Sequence, residues 1–263
     1  MKSIITLSVI LLVFTNGYSQ FKECEIFKFE DTQIYYEVYG EGEPLILLHG
    51  YTGSSKSWLP YVFDLTNEYE VYLIDLPGHG RSGPFKKDFS LKWIAEDVNK
   101  LVTHLKLTKV KAIGFSYGGD VLYQLASINP DLIEAMVTIG SLPNRKATEE
   151  FPNLLDYFSI ENRDNLTSLS GHHMNEEQIE KMLLELPKYD SSMSKDELKK
   201  IKAKVLIVIG DNDPFVPLSK VVDVRTELQK SNLMILPFSG HGAHKGEHWD
   251  FFLNTAKSFF RNQ

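Results

Sequence analysis

Apolar residues fall along the chain in two distinct rhythms. Residues 44–48 and 71–74 are short, continuous apolar runs, the pattern of strands buried on both faces of a parallel sheet. Residues 26–29 and 32–39 are rich in β-branched and aromatic side chains and flank a turn at Glu30-Asp31, so they predict an antiparallel hairpin at one edge. Between these runs the period lengthens. Residues 54–67 place Trp58, Tyr61, Val62 and Leu65 on one side of a helix. Residues 90–105 do so more regularly with Ile94, Val98, Leu101, Val102 and Leu105, and Ser90 stands where it can cap them. The alternation continues with strands over 110–114, 133–139, 205–209 and 233–236, and helices over 117–127, 219–229 and 248–260. Strands alternating with helices imply an α/β sheet, with binding residues at the carboxyl ends of its strands.

Two stretches break the rhythm. Between Leu142 and Ile201 no buried strand is written, only polar turns and amphipathic helices over 175–186 and 196–201. We read residues 143–200 as a helical cap inserted over the sheet's carboxyl edge, dividing a main domain of residues 20–142 and 201–263. At the start of the chain, Lys2 precedes an apolar run from Ile4 to Phe14, with Gly17 and Ser19 as small residues before Gln20. That is the layout of a secretory signal peptide over residues 1–19, and the run is short of the roughly 20 residues needed to span a bilayer. Export to the periplasm or beyond is expected, with no stable membrane anchor after cleavage. Phe21, Lys22 and Glu23 do not suit lipid attachment at Cys24.

Composition narrows the classes further. At 43% hydrophobic and 24% charged, the 263 residues suit a globular protein with a sizeable core. A net charge of -7, from 28 basic and 35 acidic residues, does not favour nucleic acid or an anionic membrane as a partner. The lysines at 199, 200, 202 and 204 are interleaved with apolar residues and read as a solvated face. With one cysteine, Cys24, an intramolecular disulfide and a zinc site built on several thiolates are both excluded.

Five short motifs stand at the ends of predicted strands. Gly114-Phe115-Ser116-Tyr117-Gly118 lies between a strand and a helix, where flanking glycines permit a turn sharp enough to expose a serine Oγ above the sheet. His49-Gly50-Tyr51-Thr52-Gly53 can present backbone N–H groups to a developing oxyanion; Tyr51 would supply one and Tyr117, after the serine, the other. His49 itself is read as structural. Asp75 to Ser82 forms a Pro-Gly turn steadied by Asp75 and Arg81, with His79 also structural. Asp211 and Asp213 both offer a carboxylate to orient an imidazole, and the far end of the loop favours Asp213. His241, His244 and His248 crowd the last loop; small neighbours give His241 room to reach the serine. No H-E-x-x-H pattern is present, so no metal site is expected.

In these segments (HGYTG, DLPGHGRS, GFSYGG, GDNDPFVP and SGHGAH) the chain resembles α/β-fold hydrolases with a serine nucleophile, over nearly all of residues 20–263. The resemblance implies an eight-stranded, mostly parallel sheet flanked by helices, with a small helical cap after strand six. It implies a triad of Ser116, Asp213 and His241 acting without a cofactor on a small-molecule substrate, a small carboxylic ester first. Ser116 stands where dehalogenases and epoxide hydrolases of this fold carry Asp. An amide, lactone or carbon–carbon bond is the alternative for the same triad, and a non-catalytic ligand-binding protein is the alternative of another class. Phe151, Tyr157, Phe158, Met174 and Met182, with Tyr189 beside them, are candidates to line a substrate pocket; the alternative is that they form the insertion's own core.

Overall fold

Both kinds of apolar run enter one sheet. The computed structural model describes residues 21–85, 89–146 and 173–262. Its strands are β1 (Phe21–Phe29), β2 (Thr32–Tyr39), β3 (Glu43–Leu48), β4 (Tyr69–Ile74), β5 (Val110–Phe115), β6 (Ile133–Ile139), β7 (Lys204–Gly210) and β8 (Ser231–Leu236). These eight strands lie in the order β1-β2-β4-β3-β5-β6-β7-β8. The hairpin pairs β1 with β2 antiparallel, and β2 meets β4 antiparallel as well. Every other pairing is parallel, so the continuous apolar runs occupy the sheet's interior as expected. β1 is an exposed edge, and its Lys22, Glu23, Glu25 and Lys28 discourage pairing with another chain.

Alternate side chains of each strand feed two cores. Ile46 and Leu48 of β3 point to a core shared with helices α1 (Leu91–His104), α2 (Tyr117–Ile128) and α5 (Leu218–Glu227). Leu45 and Leu47 point to the other, filled by Trp58, Val62, Leu65 and helix α6 (Trp249–Arg261). Two more helices among the described residues, α3 (Glu176–Glu185) and α4 (Lys195–Lys199), belong to the segment read as a cap. Asn175 and Gln178 close a reciprocal capping box on α3. Lys199 and Lys202 are exposed and paired with Asp196 and Asp131.

Two expectations need correcting. Residues 54–67 form no continuous helix, only 3-10 turns at Ser55–Ser57 and Val62–Asp64. Pro60 lacks an N–H and its ring obstructs the carbonyl one turn back, while the Ser55 N–H is drawn 2.5 Å from Asp75 Oδ1. The turns still bring Trp58, Val62 and Leu65 into one core, which explains the helical spacing. Ser90 precedes α1 with extended backbone, but its side chain makes no capping bond. Residues 1–19, read as a signal peptide, lie outside the described residues. No helix among the described residues is long and apolar enough to cross a membrane.

Candidate active site

Ser116 sits between the last residue of β5 and the first of α2, with φ 51° and ψ -117°. A non-glycine residue in that region is strained, and the neighbouring glycines are what make the turn possible. A Cβ on Gly114 would stand 2.5 Å from the Gly118 carbonyl oxygen, and one on Gly118 would stand 2.5 Å from that of Leu48. The Ser116 N–H is held by the Ile139 carbonyl at 2.7 Å.

Three loops then converge on the serine. His241 Nε2 lies 2.9 Å from Ser116 Oγ, and its Nδ1 lies 2.9 and 3.1 Å from the two carboxylate oxygens of Asp213. With Nδ1–H facing a carboxylate, Nε2 is left as the acceptor for the serine proton. The Asp213 side chain is fully buried and receives N–H bonds from Phe215 (2.8 Å) and Val216 (3.2 Å), so the loop's own backbone aims it. Phe215 stands edge-on to the His241 ring, 5.0 Å between centroids. This line of hydrogen bonds can carry a proton from Oγ to Nε2 while Asp213 balances the charge.

The rival residues have other partners. Asp211 accepts the Ser239 N–H at 3.1 Å and braces its loop against the histidine loop. His244 is buried among Trp58, Tyr61, Phe115 and Phe252, where burial lowers its pKa to about 3 and keeps it neutral. His248 leads into α6. His49 donates from Nδ1 to the Gly50 carbonyl (2.8 Å) and accepts the Leu76 N–H at Nε2 (3.0 Å), which burial favours by lowering its pKa. Asp75 takes the Ser55 and Arg81 N–H groups, while the Arg81 guanidinium reaches Glu37 at 2.7 Å. His79 Nδ1 faces the Pro77 carbonyl at 3.1 Å, and its ring packs against those of Tyr51 and Tyr117.

Tyr117 opens α2, so its N–H has no acceptor within the helix and lies at the positive end of the helix dipole. Tyr51 follows β3 in a turn whose next residue, Thr52, has φ 65°, and its N–H meets no backbone carbonyl among the described residues. Neither amide has a backbone acceptor among the described residues. Of the pocket candidates, Phe151, Tyr157 and Phe158 lie outside the described residues. Met174 is half-buried against the core, Met182 is wholly inside it, and Tyr189 is buried with its hydroxyl on Asp120. Among the described residues no group of three or more His, Cys, Asp or Glu side chains is placed to hold a metal ion.

Pattern reading passed over one buried cluster. Asp120, on α2 one turn past Ser116, receives Arg145 and the Tyr189 hydroxyl on Oδ2 and the Leu142 N–H on Oδ1 at 2.9 Å. Its signal was present: an acid inside a helix whose neighbours are apolar demands a partner.

Residues 43–180 match the family model described as alpha/beta hydrolase fold. A pimeloyl-[acyl-carrier protein] methyl ester esterase of Aeromonas hydrophila is 35% identical over 120 residues, 45% of each chain. A soluble epoxide hydrolase of a Corynebacterium species is 36% identical over 121 residues, 46% of this chain and 42% of that one. In both cases the match spans less than half the length of the curated relative. An alpha/beta hydrolase enzyme from a Medee basin deep-sea metagenome library superposes with a TM-score of 0.77 at 20% identity, covering 91% of this chain and 98% of its own.

Proposed function

This chain belongs to the alpha/beta hydrolase fold family, and from that premise we propose that it is a serine hydrolase that cleaves a small carboxylic ester through an acyl-enzyme. The observation that carries the reading is the unbroken line Ser116 Oγ, His241 and Asp213, each link at 2.9 Å. His241 takes the proton as Oγ attacks the ester carbonyl, and the new oxyanion is received by the Tyr51 and Tyr117 amides. Collapse expels the alcohol, which leaves with the proton from His241. Water then attacks the acyl-serine by the same route and releases the acid. The matched esterases act on a methyl ester by name, which supports a small alcohol as leaving group.

The matched epoxide hydrolase is a poorer guide to the chemistry. An epoxide opened by Ser116 would leave an alkyl ether, which has no carbonyl for water to attack, whereas a carboxylate nucleophile leaves an ester that water can release.

The test is Ser116→Ala with a p-nitrophenyl acetate or butyrate assay and a fluorophosphonate probe. Turnover should fall about 10⁴-fold or more, and labelling should vanish while the protein stays folded. Undiminished ester turnover in that variant would remove the assignment.

A further inference from the structure

Tyr51, whose amide the reading above assigns to the oxyanion, also has a side chain, and that side chain is tethered. The Tyr51 hydroxyl donates to the Met182 carbonyl oxygen at 2.7 Å. Met182 belongs to α3, and its side chain is fully buried. The helix is itself pinned to the loop that follows β4. Gln178 Nε2 donates to the Gly80 and Ser82 carbonyls at 3.1 and 2.7 Å. Lys181 Nζ donates to the Phe85 carbonyl at 3.1 Å, and Glu185 accepts the Phe89 N–H at 3.0 Å. Tyr51 is therefore tied to a fixed post.

The turn needs such a tie. Thr52, β-branched and buried, holds φ 65°, a strained conformation that persists only where the surroundings enforce it. Released, the turn would relax and carry the Tyr51 amide with it. The Tyr51 ring meets that of Tyr117 edge-to-face at 5.4 Å, so the two residues offering oxyanion donors are also in direct contact. Burial raises the Tyr51 phenol well above its usual pKa, so it remains a donor at any working pH.

We infer that the Tyr51 phenol is a positioning group: by bonding to α3 it holds the Tyr51 amide where the oxyanion forms, and so couples the seating of this helix to the chemical step. This rests on the serine-hydrolase reading above. If Ser116→Ala kept full turnover, that reading would fall; a wild-type-like Tyr51→Phe would leave it standing and remove only the tether.

The experiment compares Tyr51→Phe with wild type on a short p-nitrophenyl ester, with rates divided by active sites titrated with a fluorophosphonate. The expected result is a drop of about tenfold in kcat per titrated site, because a displaced donor weakens transition-state binding. KM should stay within about twofold, since the ground-state ester gains little from that donor. A merely structural tyrosine would lower the folded fraction and leave kcat per site alone; a value within about twofold of wild type overturns the inference. Gln178→Ala supplies an independent arm, because it loosens α3 while leaving Tyr51 intact. It should lower kcat per site in the wild-type background and have little further effect on Tyr51→Phe. Equal losses in both backgrounds would show that the helix does not act through the phenol.

Discussion

Strand β3 and the neck of the inserted segment are both buried, yet they are held by different forces. Leu45, Ile46, Leu47 and Leu48 are fully inaccessible and contribute apolar surface alone, each worth about 1.5–3 kcal/mol on burial. At the neck, residues 142–146 leave the sheet beside residues 189–193. Their seam is polar: Ser191 N–H to the Arg145 carbonyl (2.8 Å), Arg145 N–H to Ser191 Oγ (3.0 Å), and Met193 N–H to the Pro143 carbonyl (2.9 Å). Beneath it lies the Asp120–Arg145 ion pair, both side chains almost wholly out of water. Apolar burial is non-directional, so a strand built on it tolerates change of shape better than change of size. A buried ion pair is directional, and loss of one partner strands the other's charge.

The sharpest way to break this contrast is at Arg145. Arg145→Met should cost about 3–5 kcal/mol in urea unfolding, because Asp120 is left buried and uncompensated. Adding Asp120→Leu should return much of that loss; a single variant costing under about 1 kcal/mol would mean that the neck does not depend on its charges. On the sheet side, Leu47→Ala should cost about 3 kcal/mol by opening a cavity, and no second substitution of opposite polarity should rescue it. A rescue there would erase the distinction between the regions.

Over the step from neutral to mildly acid pH, the smallest effect is an acid response. His244 sits with the sheet's aromatic core, its folded pKa about 3 against an ordinary 6.5. Below pH 6.5 the unfolded chain therefore binds a proton that the folded one refuses, so stability is full above that pH and declines as the pH falls. The decline is about 1.4 kcal/mol per pH unit until the folded group also titrates. His244→Phe should remove this component, seen as a shallower loss of thermal stability between neutral and mildly acid pH. Parallel curves for the two proteins would mean that the imidazole is not held neutral.

Most of the sheet could be read in advance because its evidence is local. The runs 44–48 and 71–74 became β3 and β4, extended by a residue or two at their amino ends. The helix expected over 54–67 was misread because its apolar spacing reports burial, not backbone form, and Pro60 and the pull of Asp75 on Ser55 decided the form. At the site, Ser116 was marked by its glycines, whose backbone demand is also local. Three histidines stood in one loop; small neighbours favoured His241, and the contact distances put it on Ser116 and His244 against Trp58. The Tyr51 tether left almost no local trace, and of the Asp120 cluster only the acid itself was visible, not its partners. Met182 is an ordinary apolar residue of an amphipathic helix, and it is its backbone carbonyl that matters.

By itself, then, the sequence determined the alternation of strands and helices, the strained serine turn, and the chain order of a serine, a carboxylate and an imidazole. Propensity, periodicity and glycine placement act within a few residues, so one dimension suffices for them. Loop position and small neighbours favoured Asp213 and His241, but only the tertiary structure supplied their distances to one another and to the serine, and what holds the inserted segment down. Hydrogen bonds are set by ångströms and angles between groups far apart along the chain, and only folding brings those groups within reach.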